Sequence, residues 1–237
     1  MDDCLARGEA VDPRSSPDPV EFIRANMRLM PVPSLAEIRL YTAHPGSGIR
    51  RLTDPQEGEN EPQPPYWAYA WAGGAVLARY IIDRPQTVVG RRVLDLGAGS
   101  GLVGITAAKA GASDVVAAEI DRNGVAALGL NAVANGVTIT VIGEDITNGP
   151  PPAVDLVVAG DVFYDQHVAE RIMPFLDRCL AAGIDVLVGD PGRAWLPRSR
   201  LRLLAEYIVP DFGEARHAAT KPSGVFSLQP ERPECPL

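Results

Sequence analysis

Short apolar runs, each closed by a glycine- or acid-rich turn, alternate with stretches of helical period along most of the chain. Val93, Leu94 and Leu96, bounded by Gly97, Gly99 and Gly101, read as a buried strand of a parallel sheet. An alanine-rich helical pattern resumes over residues 105–110. A second strand is predicted at 114–118, ending in Glu119-Ile120-Asp121. Val125, Leu128, Gly129 and Ala132 carry a helix up to the stop signal Asn135-Gly136. Residues 138–142 and 154–159 predict the third and fourth strands. Residues 166–180 predict a helix with Val168, Ile172, Phe175, Leu176 and Cys179 on one side, bent at Pro174. A fifth strand at 184–188, a helix near 199–206, and strands at 207–209 and 224–228 complete the pattern. Alternating strands and helices define an α/β fold with a mostly parallel sheet and helices on both faces. No internal repeat is visible.

The upstream region is less regular. Residues 1–19 are rich in Pro, Ser and Asp, a composition that predicts disorder. Phe22, Ile23, Met27 and Met30 space a helix over 20–30, ended by Pro31 and Pro33, and 37–42 alternate as a strand. A Gly-, Pro- and acid-rich loop fills 44–65. The segment 64–80 sets Tyr66, Trp67, Tyr69 and Trp71 immediately ahead of a helix over 74–83. The chain therefore divides into an N-terminal extension and loop (20–65), one large domain (66–230) and a tail (231–237).

The glycine turn carries the first candidate chemistry. Glycines at alternate positions let the backbone turn sharply and approach a ligand, and the following helix points its N–H groups back at it. Gly99, Gly101 and Gly104 also spell the dinucleotide fingerprint G-x-G-x-x-G. Asp95, at the mouth of the strand, weighs against that reading: a carboxylate there repels a pyrophosphate and suits an ammonium or sulfonium. S-adenosylmethionine has both and no phosphate. The run D-x-G-x-G-x-G at 95–101 resembles the first motif of the Rossmann-like methyltransferases, which implies that Asp95, Gly97, Gly99 and Gly101 meet the amino acid end of that cofactor. Glu119 follows Gly97 by about twenty residues, where a strand-end acid binds a ribose diol in Rossmann-like folds. Asp121 suits the cap of the next helix better.

Strand four lies beside strand one, across the reversal of strand order, so its loop faces the same ligand. That loop holds Asp161, Phe163, Tyr164 and Asp165. The aromatic cluster before the helix suits a cation, since a ring face is negative; Trp71 is assigned to the cofactor side and Trp67 to the acceptor side.

Composition narrows the partners. The 237 residues carry a net charge of -8, and only Lys109 and Lys221 are lysines. An acidic chain argues against nucleic acid and agrees with a partner that presents lysines. Cys4, Cys179 and Cys235 suggest neither a disulfide framework nor a metal site. No run is long and apolar enough for a membrane span, and the N-terminus lacks a signal or transit pattern. The expectation is a soluble, cytoplasmic, monomeric protein without a metal.

Four motifs together sharpen the reading: Y-W-A-x-x-W-x-G-G at 66–74, D-L-G-x-G-x-G at 95–101, G-D-x-F-Y-D at 160–165 and G-D-P-G-R at 189–193. Their combination resembles the lysine methyltransferases that act on the electron transfer flavoprotein beta subunit, bacterial relatives included, with the likeness running from Phe22 to Pro230. The resemblance implies a Rossmann-like seven-strand class I methyltransferase that uses S-adenosylmethionine and methylates lysine on a protein, with that beta subunit as substrate. It also implies that Asp161 and Tyr164 form the D-x-x-Y element of the wider group, and that Asp145, beyond strand three, reaches the adenine amino group. Ala72 stands where the family often has proline, and Glu119 where aspartate is common.

A lysine must shed its proton before it can attack, which at neutral pH costs roughly 4–5 kcal/mol. An aromatic pocket helps by desolvation, whereas a close acid opposes. Asp161 is thus expected to orient the amine rather than act as a strong base, with Tyr164 and Trp67 lining the lysine channel. A methyltransferase of a small-molecule amine or of another protein, a catalytically silent cofactor-binding partner protein and a dehydrogenase remain as alternatives.

Overall fold

The computed structural model describes residues 17–53, 64–210 and 222–231. Its centre is a seven-strand sheet flanked by helices. Chain order runs β3 (Arg92–Leu96), α4 (Leu102–Lys109), β4 (Asp114–Ala118), α5 (Arg122–Ala134), β5 (Thr140–Ile142), β6 (Leu156–Gly160), α6 (Gln166–Ala181), β7 (Asp185–Asp190), β8 (Leu201–Tyr207) and β9 (Ser223–Leu228). Ahead of it come α1 (Pro19–Asn26), β1 (Arg28–Val32), β2 (Leu35–Thr42), α2 (Arg50–Thr53) and α3 (Ala72–Asp83).

The spatial order is β5-β4-β3-β6-β7-β9-β8. Strands β3 to β7 are parallel; β9 and β8 return antiparallel. The chain builds outward from β3 through β5, then crosses back to β6. Order therefore reverses between β3 and β6, which opens a crevice at their carboxyl ends.

Alternation along the strands divides two cores. Val93, Leu156 and Val158 join α3 and α4 on one face. Leu94, Val157 and Ala159 join α6 on the other. This period of two places Asp95 on the same face as Val93, toward α4. A third cluster ties Phe22, Ile23 and Met27 of the extension to Trp67 and to Ala127 and Leu130 of α5.

Three elements differ from expectation, one of them the strand expected at 207–209, where Tyr207 is the last residue of β8 and Ile208 and Val209 lie outside it. The helix expected over 20–30 ends at Asn26, and Met30 and Pro31 lie in β1, paired with Leu40 and Arg39 of β2. Pro31 is tolerated because β1 is an edge strand of a two-stranded sheet. The helix expected near 199–206 is strand β8, paired along β9 from Leu201↔Leu228 to Tyr207↔Ser223. Its leucines are good helix formers, but pairing on the sheet edge overrides local propensity. Pro174 sits inside an unbroken α6. The disorder expected for 1–19 and much of the 44–65 loop fall outside the described residues, although Pro19 already starts α1 with Asp18 as its cap. Among the described residues no helix is long and apolar enough to cross a membrane.

Candidate active site

The crevice is a cavity of about 430 Å³ that joins the glycine turn to the loops after β6 and β7. On the turn side, Gly97 and Gly99 adopt φ of +66° and +53°, a conformation that costs a side chain about 1–2 kcal/mol. Both line the cavity. Gly101 does not: an added Cβ would stand 2.9 Å from Leu128 Cγ, so this glycine serves helix packing.

Asp95 is 2 % exposed, and the Gly104 N–H donates to its Oδ2 at 2.7 Å. A Cβ at position 104 would lie 3.1 Å from that oxygen, which is why α4 carries glycine there. The carboxylate is therefore committed to the first turn of α4 as well as to the cavity wall. Burial pushes it up to about 7, against the pull of the Gly104 bond.

Glu119 accepts from the Gly99 N–H at 2.6 Å and from the Asp121 N–H at 2.8 Å. Burial holds its carboxyl above the usual range. Gly124 leaves room for its extra methylene: a Cβ there would meet Glu119 Cγ at 2.9 Å. Asp121 caps α5 through the Asn123 N–H. At the far end Asp145 accepts from Thr147 Oγ1 at 2.6 Å and faces Arg171 at 3.4 Å. The Thr147 hydroxyl, more than Arg171, keeps Asp145 below its ordinary value.

The opposite wall is made where α3 meets the sheet. A Cβ on Gly73 would sit 2.3 Å from Gly189 O, and one on Gly160 would sit 2.8 Å from Gly74 Cα. Only glycines allow the α3 N-terminus to rest on the carboxyl ends of β6 and β7. That contact brings the Gly73 N–H onto Asp161 Oδ2. Asp161 is 9 % exposed and has a φ of +56°, unusual for a residue other than glycine. Its Oδ1 accepts from Arg193 Nε at 2.8 Å and lies 2.7 Å from Arg193 Nη2. Burial raises Asp161 to about 6, with Arg193 and Gly73 pulling the other way.

Aromatic rings form the rim. Tyr164 is 45 % exposed and its ring lies 5.1 Å from that of Tyr66. Tyr66 in turn stands 5.7 Å from Trp71, whose Nε1–H donates to the Tyr66 carbonyl at 2.7 Å. Trp67 lies deeper, 2 % exposed among Phe22, Ile23 and Met27, and lines the cavity from within. Its Nε1–H finds no partner among the described residues.

Trp67, Trp71, Asp95, Gly97, Gly99, Glu119, Asp145, Asp161 and Tyr164 meet in this cavity; Gly101 and Gly104 do not line it, Phe163 is buried in the core beneath α6, and Asp165 caps α6. Sequence reasoning passed over Tyr66 as the neighbour of Tyr164, Gly73 as a donor, and Arg193 as the partner of Asp161. Each stood in a motif already noticed, but the pairings span the chain.

The residues fit a sulfonium nucleoside. The turn leaves a cradle that a side chain would fill and offers no basic side chain of its own to a pyrophosphate. Strand order, crevice and site define a class I, S-adenosylmethionine-dependent methyltransferase. A family model described as lysine methyltransferase matches residues 66–194, and the chain belongs to that family. It is 37 % identical over 172 residues to the electron transfer flavoprotein beta subunit lysine methyltransferase of Rattus norvegicus, covering 70 % of this chain and 68 % of that protein. The protein of the same name from Danio rerio is 35 % identical over 217 residues, covering 88 % and 82 %. Among solved structures, the ribosomal protein L11 methylase of Lactobacillus delbrueckii superposes with a TM-score of 0.51 at 23 % identity, covering 74 % of this chain and 91 % of that one. A T. thermophilus 16S rRNA methyltransferase solved with AdoMet and guanosine gives 0.51 at 20 % identity, covering 69 % and 44 %. These two speak for the fold alone.

Proposed function

We propose that the protein transfers methyl groups from S-adenosylmethionine to lysine side chains of a folded protein, with the electron transfer flavoprotein beta subunit as its substrate. The observation that carries this reading is the single cavity in which the glycine turn, the Asp161–Tyr164 element and an aromatic rim converge. The names of the relatives support the substrate. When bound, the cofactor supplies a methyl group activated on a sulfonium sulfur.

In this reading Gly97, Gly99 and Asp95 receive the amino acid end, with Gly101 shaping the turn from behind. Glu119 takes the ribose hydroxyls on the lone pairs its two backbone donors leave, Asp145 stands at the adenine end, and Trp71 covers the cofactor from the rim. Tyr66 and Tyr164 guide the lysine inward and strip its water, which favours the neutral amine. Trp67 walls the inner end. Asp161 accepts one N–H of the amine and so aims its lone pair; alignment of this kind supplies much of the rate when the methyl group is already activated. The same reading assigns the chemistry to a domain over 66–230, with Phe22, Ile23, Met27 and Leu52 of the N-terminal extension packing in the Trp67 cluster.

Mass spectrometry of purified flavoprotein after incubation with this enzyme and the methyl donor tests the proposal. Lysines of the beta subunit heavier by methyl increments are the expected result. An unmodified flavoprotein beside a methylated small amine would overturn the substrate.

A further inference from the structure

The loop after β7 carries Arg193, a residue to which the scheme above gives no task. Its backbone is fixed: Asp190 Oδ1 accepts from the Gly192 and Arg193 N–H groups, each at 2.6 Å. Its guanidinium lies 5.9 Å from the centre of the Trp71 ring and lines the cavity. From there it grips Asp161 Oδ1 with both Nε and Nη2. A carboxylate offers about four lone-pair sites. Arg193 takes both on Oδ1 and the Gly73 N–H takes one on Oδ2. One site on Oδ2 is left, and its direction is set by the other three bonds.

We propose that Arg193 is a positioning residue for methyl transfer: its two-point grip aims the remaining Oδ2 lone pair of Asp161 at the acceptor amine and cancels the charge of that carboxylate. This rests on the functional reading above. An uncompensated carboxylate beside a lysine would hold it as an ammonium, which has no lone pair to give. With the guanidinium opposite, Asp161 orients the amine without trapping its proton. That proton leaves to solvent before transfer; then the nitrogen lone pair forms the new N–C bond as the C–S bond breaks, its electrons remaining on sulfur. A second N–H proton leaves to solvent afterwards.

The other charged or titratable groups about the pair are Asp190 and Arg198 on the β7 side, Tyr164 and Asp165 after β6, Tyr66 before α3, and Glu119 and Arg171 across the cavity. None replaces Arg193 on Asp161 Oδ1. Asp190 is held by backbone N–H groups, so a change of the Arg193 side chain leaves that turn in place.

The test compares wild type, Arg193→Gln and Arg193→Lys, using purified flavoprotein as acceptor. Profiles of kcat/KM against pH are measured together with calorimetric cofactor affinity and carboxyl-carbon NMR titration of Asp161. For Arg193→Gln the expected result is about a 100-fold loss near neutral pH and an ascending limb moved up by about one pH unit or more. The Asp161 midpoint should rise, because the cation that favoured its ionised form is gone. Arg193→Lys should return the limb toward wild type while recovering only part of the rate, and cofactor affinity should stay within about threefold throughout. An unmoved limb or an unmoved Asp161 midpoint in Arg193→Gln overturns the proposal. So does a loss of cofactor affinity that matches the loss of rate, which would place Arg193 on the cofactor. Wild type that methylates no lysine overturns the functional reading and this inference with it; active wild type with an unmoved limb overturns the inference alone.

Discussion

At the glycine-turn end of the cavity the acids are held by donors near them in the chain: Asp95 by Gly104 nine residues on, Asp145 by Thr147 two residues on, Glu119 by Asp121 two residues on and by Gly99 twenty residues back. At the α3 end, Asp161 is held by Gly73 at a separation of 88 residues and by Arg193 at 32. The first end is furnished by neighbouring strand–helix units and is shaped once those units form. The second exists only when α3, β6 and β7 have docked through their glycine contacts. Ligand binding and acceptor chemistry should therefore respond to different substitutions.

The largest expected effect lies at the turn. Gly99→Arg forces a side chain into φ +53° and into the cavity, so calorimetry should show cofactor affinity lowered by about 100-fold or more. Undiminished affinity would remove the turn from the ligand site. Next comes Gly73→Ala, whose Cβ would meet Gly189 O at 2.3 Å. Overpacking of this kind costs about 1–3 kcal/mol, and chemical denaturation should show it as a lower midpoint. Because the misfit displaces the donor to Asp161, transfer should fall further than cofactor affinity. Equal losses in both would mean that the two ends are not separable.

The smallest effect concerns pH. Asp95 binds its proton more tightly in the folded state, up to about 7, than in an unfolded chain, where the value is about 3.9. Its favourable contribution is therefore whole below about pH 4 and is lost as pH rises through about 7. Asp161, raised to about 6, acts in the same direction. The exposed Asp155, lowered to about 2 by Arg92, acts oppositely and only in strong acid. Asp95→Asn should flatten the fall of the thermal midpoint between about pH 5 and pH 7, by about 2–4 °C if ~1 kcal/mol is at stake. A slope identical to wild type would show that Asp95 does not titrate there.

The same contrast explains what could be read from the sequence. The strands of the parallel core and the turn at Gly97–Gly101 were legible because apolar period, glycine spacing and cap residues are local signals. So was the placement of Glu119 at a strand end. The end of α1 was not, since Met27 and Met30 continue a helical spacing although Arg28 to Val32 pair with β2. Strand β8 was hidden because its leucines favour a helix until β9 supplies a partner. Within the site, Gly101 looked like a ligand residue only because its spacing matches Gly97 and Gly99; its contact with Leu128 is tertiary. Arg193 sat in a visible motif, yet nothing local says that it reaches Asp161.

The central claim is that Asp161 serves the acceptor amine while the glycine turn serves the methyl donor. It is tested most directly with Asp161→Asn, by measuring cofactor affinity and single-turnover transfer to flavoprotein lysines on the same preparation. Transfer should fall by about 100-fold or more, since the amide has one acceptor oxygen and no charge and so cannot hold Arg193 and also accept from Gly73 and the amine, while the dissociation constant of the cofactor stays within about threefold of wild type. A variant that loses cofactor affinity in step with transfer, or that transfers at the wild-type rate, would contradict the claim.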